Sequence, residues 1–236
     1  MSDGRRGGDG RGNTRMLHTR VKTARGRKSS STRWLQRQLN DPYVVAARRE
    51  GYRSRAAFKL LELDERFGLL KPGRRVVDLG CAPGGWTQVA VAAVKPDASG
   101  GQVVGLDLLD MDPVPGAVTF VCDFTDDDAP GRLKALLGGP VDVVLSDMAA
   151  NTTGHPQTDH LRIIALLEMA YAFACEVLAE GGCFVAKVFQ GGAESDFLAR
   201  MKQDFETVRH AKPPASRKDS AEIYVVAKGF RKPSSL

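Results

Sequence analysis

The chain is 236 residues long and 42% hydrophobic, enough for one substantial core with little left for a second. Its formal charge is +6, yet residues 1–33 carry +8 and the remainder only −2, a distribution that points to a polyanionic partner held by a basic tail. Cys81, Cys122, Cys175 and Cys183 are scattered without a CxxC pair, so neither a zinc site nor a disulfide framework is suggested, and no apolar run reaches the roughly 18 residues a membrane span needs.

Residues 1–33 are rich in Gly, Arg, Ser and Thr with almost no aliphatic content. Such a composition cannot offset the entropy of ordering, so a disordered basic tail is expected there and a single folded domain over residues 34–236. A solubilising role is an equal reading of the tail. Its Arg-rich, acid-poor character also fits a mitochondrial transit peptide, but Gly4, Gly7, Gly8, Gly10 and Gly12 and the missing apolar helical face argue against that, and a cytoplasmic protein is expected. A helical stretch runs from Trp34 toward Val45 and Ala47. A second runs from Ser54 through Ala57, Leu60, Leu61 and Phe67 at three- and four-residue spacing, and Gly68 and Pro72-Gly73 end it.

Beyond Gly73 short aliphatic runs alternate with helical segments, the pattern of a parallel sheet covered by helices. The runs are Arg75–Leu79, Gln102–Asp107, Val118–Asp123, Val141–Asp147, Cys183–Phe189 and Glu222–Ala227; the clearest intervening helix is Leu161–Leu178. Three of them finish in Asp, and Lys187 stands two residues before the end of a fourth. Ligands of open α/β sheets sit beyond the carboxyl ends of the strands, so Asp107, Asp123, Asp147 and Lys187 are expected to converge on one crevice.

The segment Asp78–Trp86, DLGCAPGGW, follows the first strand and opens a helix. Gly80 and Gly84 allow a tight turn and close approach of a ligand to the backbone. Pro83 removes an amide that could have faced a phosphate, so a ligand without a pyrophosphate suits the loop better than NAD. Asp107 is placed to take ribose hydroxyls, Asp123 to accept from an adenine amino group, and Trp86 to pack on the ligand.

Taken together, Arg53–Leu60 (RSRAAFKL), Asp78–Trp86, Leu145–Ala149 (LSDMA), Ala186–Gly191 (AKVFQG) and Ser220–Phe230 (SAEIYVVAKGF) resemble the FtsJ family of ribose 2′-O-methyltransferases, most closely its bacterial members that modify a uridine of large-subunit ribosomal RNA. The resemblance runs from Trp34 to Phe230. It implies a class I methyltransferase fold, α/β and Rossmann-like, with a mostly parallel sheet whose last strand is antiparallel. It also implies S-adenosylmethionine as donor, ribosomal RNA as partner, and a monomer. Cys81 stands where relatives usually carry a small residue such as Ala.

The resemblance further implies a catalytic Lys-Asp-Lys-Glu set, which falls on Lys59, Asp147, Lys187 and Glu222. A ribose hydroxyl is a poor nucleophile that holds its proton tightly. Lys187 can act as the base if a second ammonium, Lys59, and partial burial lower its ordinary pKa of about 10.4. It can equally stay charged and orient the hydroxyl toward the methyl carbon. Asp147 and Glu222 would orient the lysines, and Asp147 would also face the donor. Ahead of Lys59, the cations Arg48, Arg49, Arg53 and Arg55 mingle with Tyr43 and Tyr52, and Lys212, Arg217 and Lys218 approach from the loop before Glu222, together an expected RNA-holding rim. A noncatalytic ribosome-assembly factor or RNA chaperone, and a methyltransferase acting on tRNA, are the alternatives. An NAD-linked oxidoreductase is disfavoured because His18, His155, His160 and His210 all lie away from strand ends.

Overall fold

A computed structural model describes residues 29–150, 154–189 and 194–232. The chain divides into two compact units, residues 1–45 and 46–236. In the first, helix α1 spans Ser29–Leu39 and helix α2, Pro42–Glu50, begins. The break between them has a local cause: the Asp41 carboxylate accepts from the Tyr43 amide at 3.0 Å, and Pro42 occupies the first helical position, where its missing N–H costs nothing. The helical stretch expected from Trp34 is therefore two helices, the first starting at Ser29; the rest of the expected tail, residues 1–28, lies outside the described residues.

The second unit holds helices α3 (Ala56–Phe67), α4 (Gly85–Val94), α5 (Pro96–Ser99), α6 (Ala129–Leu137), α7 (Pro156–Val177) and α8 (Glu194–Asp204). Its strands are β1 (Arg75–Leu79), β2 (Gln102–Asp107), β3 (Val118–Val121), β4 (Val141–Ser146), β5 (Leu178–Phe189), β6 (Phe205–Ala211) and β7 (Glu222–Phe230). They form one seven-stranded sheet in the order β3-β2-β1-β4-β5-β7-β6. The pairs from β3 through β5 are parallel, and β7 runs antiparallel to both β5 and β6. This is the mixed α/β sheet expected from the sequence, with two antiparallel pairings at one end.

Side chains alternate across the pleat, so Val77 and Leu79 enter the core beneath α6 and α7 while Val76 enters the one shared with α3 and α4. Burial on both faces explains why the strands read as near-continuous apolar runs. Helix α3 stops where Gly68 adopts a left-handed φ of 61° and its amide bonds Asp64 O at 2.7 Å.

Several boundaries differ from the sequence reading: β4 ends at Ser146, one residue short of Asp147, β7 runs on to Phe230, and the helix expected over Leu161–Leu178 spans Pro156–Val177. Strand β5 begins at Leu178, five residues early, through an irregular register beside Val141 and Val143. Strand β3 ends at Val121, which leaves Asp123 in the following loop. Strand β6 was not expected at all. It is an edge strand buried only at Phe205 and Ala211, and its polar middle carries no apolar alternation. Strand β6 covers β7 from Phe230 back to Tyr224, so Glu222 lies on an inner strand just beyond the end of that pairing.

Candidate active site

Strand order reverses at β1, whose neighbours are β2 and β4, so the crevice expected of such a sheet opens beyond their carboxyl ends. A cavity of about 520 Å³ lies there, lined among others by Gly80, Asp107, Asp123, Phe124, Met148 and Arg162. Gly80 has φ 81°, and a Cβ on it would sit 3.0 Å from the Met148 backbone nitrogen, so only glycine lets the loops after β1 and β4 meet. Asp107 accepts from the amides of Ala82 at 2.9 Å and Leu109 at 2.8 Å, joining the loops after β1 and β2. Each carboxylate oxygen keeps a further lone pair for a ligand hydroxyl. One oxygen of Asp123 takes the amide and hydroxyl of Thr125 at 2.9 and 2.7 Å, bonds that hold this carboxyl below the usual carboxylate range. Two acids on an otherwise largely apolar cavity suit a ligand with hydroxyls and an amino group on a flat body.

Of the other residues assigned to the ligand, the Trp86 side chain is not on this cavity. It is 3% exposed, its Nε1 donates to Ala56 O at 2.8 Å, and its ring packs on Tyr224. Trp86 can therefore serve a ligand only through its backbone, in the first turn of α4 where amides have no partner within the helix, whereas the Gly84 amide already donates to Cys81 O at 2.7 Å. The Pro83 carbonyl accepts from Arg53.

Beside the cavity stands a continuous polar array. The Lys187 ammonium lies 3.2 Å from Asp147 Oδ1 and also donates to the Asp147 carbonyl. Asp147 Oδ1 accepts from the Tyr224 hydroxyl at 2.8 Å, and that hydroxyl accepts from Lys59 Nζ at 3.2 Å. Lys59 pairs with both Glu222 oxygens, at 2.7 and 2.9 Å, and Ser216 Oγ donates to Glu222 at 2.9 Å. Register explains the assembly. Lys187 stands opposite Tyr224 in the β5–β7 pair, Glu222 lies two residues along the same face, and Asp147 follows Ser146, the partner of Ala186 in β4–β5. Lys59, ordinarily a surface residue on such a helix, is buried on α3.

All four residues of the expected set come together, with one change. The Tyr224 hydroxyl and the Asp147 carboxylate stand between the two ammonium groups, and each lysine has its own carboxylate. Sequence reading passed over Tyr224, although its spacing of two from Glu222 on one strand marks it as a neighbour. Burial first, and then Asp147, push its hydroxyl well above the ordinary phenol value, so it remains a donor.

Asp78 was also passed over. It is 0% exposed, one oxygen accepts from Thr87 Oγ1 at 2.7 Å, and the other has no partner among the described residues. Burial raises its carboxyl to about 7. The folded state thus holds this proton more tightly than the unfolded chain, so its contribution is complete below about pH 4 and is lost as pH rises through 7. Denaturant melts of Asp78→Asn, compared with wild type at pH 5 and pH 8, are expected to show a smaller fall in stability across that interval. An undiminished fall would mean that another group titrates there.

The expected RNA rim divides into two sets. Arg48 is exposed, and Arg49, with a side chain 76% exposed, pairs with Glu50 alone among the described residues. By contrast Arg55 donates to Ala215 O, Lys212 to the carbonyls of Lys218 and Ser220, and Arg53 to three carbonyls. Arg217 is partly buried and Lys218 exposed; Tyr52 packs edge-on against Phe58. Among the described residues no helix is long and apolar enough to cross a membrane.

A site of strand-end acids beside a Lys-Asp-Lys-Glu array has close relatives. The chain is 68% identical over 98% of its length to the ribosomal RNA large subunit methyltransferase E of Paramagnetospirillum magneticum, covering 96% of that protein. It is 63% identical over 97% of its length to the protein of the same name from Parvibaculum lavamentivorans, covering 92% of it. A solved structure from Plasmodium falciparum, described as a candidate ribosomal RNA methyltransferase, superposes with a TM-score of 0.68 at 30% identity over 77% of this chain and 100% of that one. Residues 52–230, which carry the whole sheet and the polar array, match the FtsJ-like methyltransferase family, and the chain belongs to it.

Proposed function

We propose that this methyltransferase moves a methyl group from S-adenosylmethionine to the 2′-hydroxyl of a uridine in large-subunit (23S) ribosomal RNA, as a cytoplasmic monomer acting during ribosome assembly. The observation that carries the reading is the array of Lys187, Asp147, Tyr224, Lys59 and Glu222, whose Asp147 directly precedes Met148 on the wall of a cavity suited to a nucleoside. The names of the relatives support the substrate class, and the uridine rests on the resemblance of the motifs.

The donor supplies an electrophilic methyl on a sulfonium. Asp107 and Asp123 would take its ribose hydroxyls and adenine amino group, and Gly84, Trp86 and Asp147 would face its amino-acid end. Lys187 donates to Asp147 twice, which leaves its remaining N–H for the acceptor hydroxyl oxygen. That contact would turn a lone pair of the hydroxyl oxygen toward the donor's methyl, with the hydroxyl proton released to water as the methyl leaves its sulfur. Asp147 fixes the ammonium, Tyr224 fixes Asp147, and the Lys59–Glu222 pair holds Tyr224 from the other side. Arg48 and Arg49 would meet RNA phosphates, with the basic segment 1–33 adding nonspecific grip.

A noncatalytic assembly factor would have no use for this array, whose buried charges are costly to keep. The test incubates the protein with labelled donor and undermethylated large subunits and maps 2′-O-methylation. One modified uridine is the expected result. Modification of tRNA alone, or no transfer, would overturn the proposal.

A further inference from the structure

The sequence places Arg53 among the cations that hold RNA, but the structure gives its guanidinium other work. Nη1 donates to Pro83 O at 3.4 Å and to Asp112 O, and Nη2 donates to Pro113 O at 2.8 Å. Two segments are joined by this one side chain: the turn that enters α4 and the stretch 112–114 that follows β2. Gly84 stands directly under it. At φ 107°, a Cβ there would lie 3.0 Å from Arg53 Nη1, 3.1 Å from Arg53 Cδ and 3.1 Å from Val114 Cγ2. The glycine is required for the guanidinium to lie against the loop. The base of Arg53 is anchored as well. Gln88 of α4 accepts from the Arg53 amide at 2.9 Å and donates to Gly51 O at 3.0 Å, so the backbone is tied to the same helix whose entry the side chain grips.

These two segments continue the loops that Asp107 already joins nearer the cavity, through Ala82 and Leu109. Asp107 is an inner tie and Arg53 an outer one. Three of the five guanidinium N–H donors are committed to carbonyl oxygens, which holds the group in place against the loops although the residue is exposed. A lysine in its position keeps the charge but cannot bridge the divergent carbonyls.

We propose that Arg53 is a positioning residue for the methyl-donor site, setting the separation of the loops after β1 and β2, and not a ligand of RNA phosphate. The inference rests on the donor being S-adenosylmethionine, and the experiment separates the two claims. Binding of S-adenosylmethionine, binding of ribosomal RNA across a salt series, and steady-state methylation are measured for wild type, Arg53→Lys, Arg53→Ala and Arg49→Ala. In Arg53→Lys the donor Kd and KM are expected to rise about tenfold, with kcat at saturating donor within about threefold of wild type and with the RNA Kd and its salt slope unchanged; an arginine that merely stabilised the fold would not split KM from kcat. Arg49→Ala should do the reverse, lowering RNA affinity and the salt slope. If Arg53→Ala does not fold, Arg53→Lys alone decides. An RNA slope shallower by about one charge with donor binding intact would overturn the inference, as would equal losses on both ligands or no change in either. A wild-type protein that bound no donor would instead sink the functional reading beneath it.

Discussion

Replacing Lys187 with alanine is expected to slow methyl transfer on the order of 10²- to 10⁴-fold under single-turnover conditions, with donor and RNA affinities close to wild type. The size follows from what the ammonium does. Its side chain is only 8% exposed and holds both a carboxylate oxygen and a carbonyl of Asp147, so its free donor points in a fixed direction. Losing that direction removes an interaction needed mainly as the methyl is transferred, so the loss should appear in kcat while KM stays near its original value. Lys187→Arg should recover little, because a planar fork cannot place one proton where the tetrahedral ammonium did. If Lys187 orients rather than accepts a proton, the single-turnover rate of the wild type should be flat around neutral pH. A rate that climbs through an ionisation there, and loses the climb in Lys187→Ala, would restore the general-base role.

The second large effect concerns stability. Lys59 and Glu222 form an ion pair whose side chains are 10% and 15% exposed. Lys59→Met leaves the Glu222 carboxylate half-stranded among buried groups, and breaking a buried pair from one side typically costs 3–5 kcal/mol. The lower end applies here, about 3 kcal/mol, because Glu222 keeps some solvent and the Ser216 hydroxyl. For a unit of this size that is a fall in Tm of roughly 6–12 °C. The double variant Lys59→Met/Glu222→Leu should recover much of the loss, since removing both charges also removes their desolvation cost. If the double variant is as unstable as the single one, the damage lies in packing rather than in the stranded charge.

Much of this was legible in the sequence, for reasons that can be named. Strands buried on both faces must be apolar throughout, which is why β1, β2, β4 and the inner part of β5 stood out. The glycine loop could be read because few residues other than glycine allow its turn. Asp107, Asp123 and Asp147 could be read because the ends of parallel strands share one side of the sheet. The resemblance of five motifs added the Lys-Asp-Lys-Glu set.

What escaped depended on partners distant in sequence. Strand β6 is stabilised by β7 and by two buried ends, not by a pattern of its own. The indole of Trp86 turned inward because Ala56 offers a carbonyl thirty residues away. Arg53 reads as a phosphate ligand beside other cations, and the three carbonyls it meets lie 30, 59 and 60 residues away in the chain. Tyr224 looked like an ordinary core aromatic, which its ring is; its hydroxyl belongs to the site.

The pairing of β5 with β7 carries one last implication. Sliding β7 along β5 by a single step would turn the phenol and the acid into the greasy interior on the opposite side, leave the amine behind, and bring bare aliphatic groups to stand beside it. Misthreaded molecules are thus both inactive and penalised, and the chemistry doubles as a proofreader of the protein's own assembly.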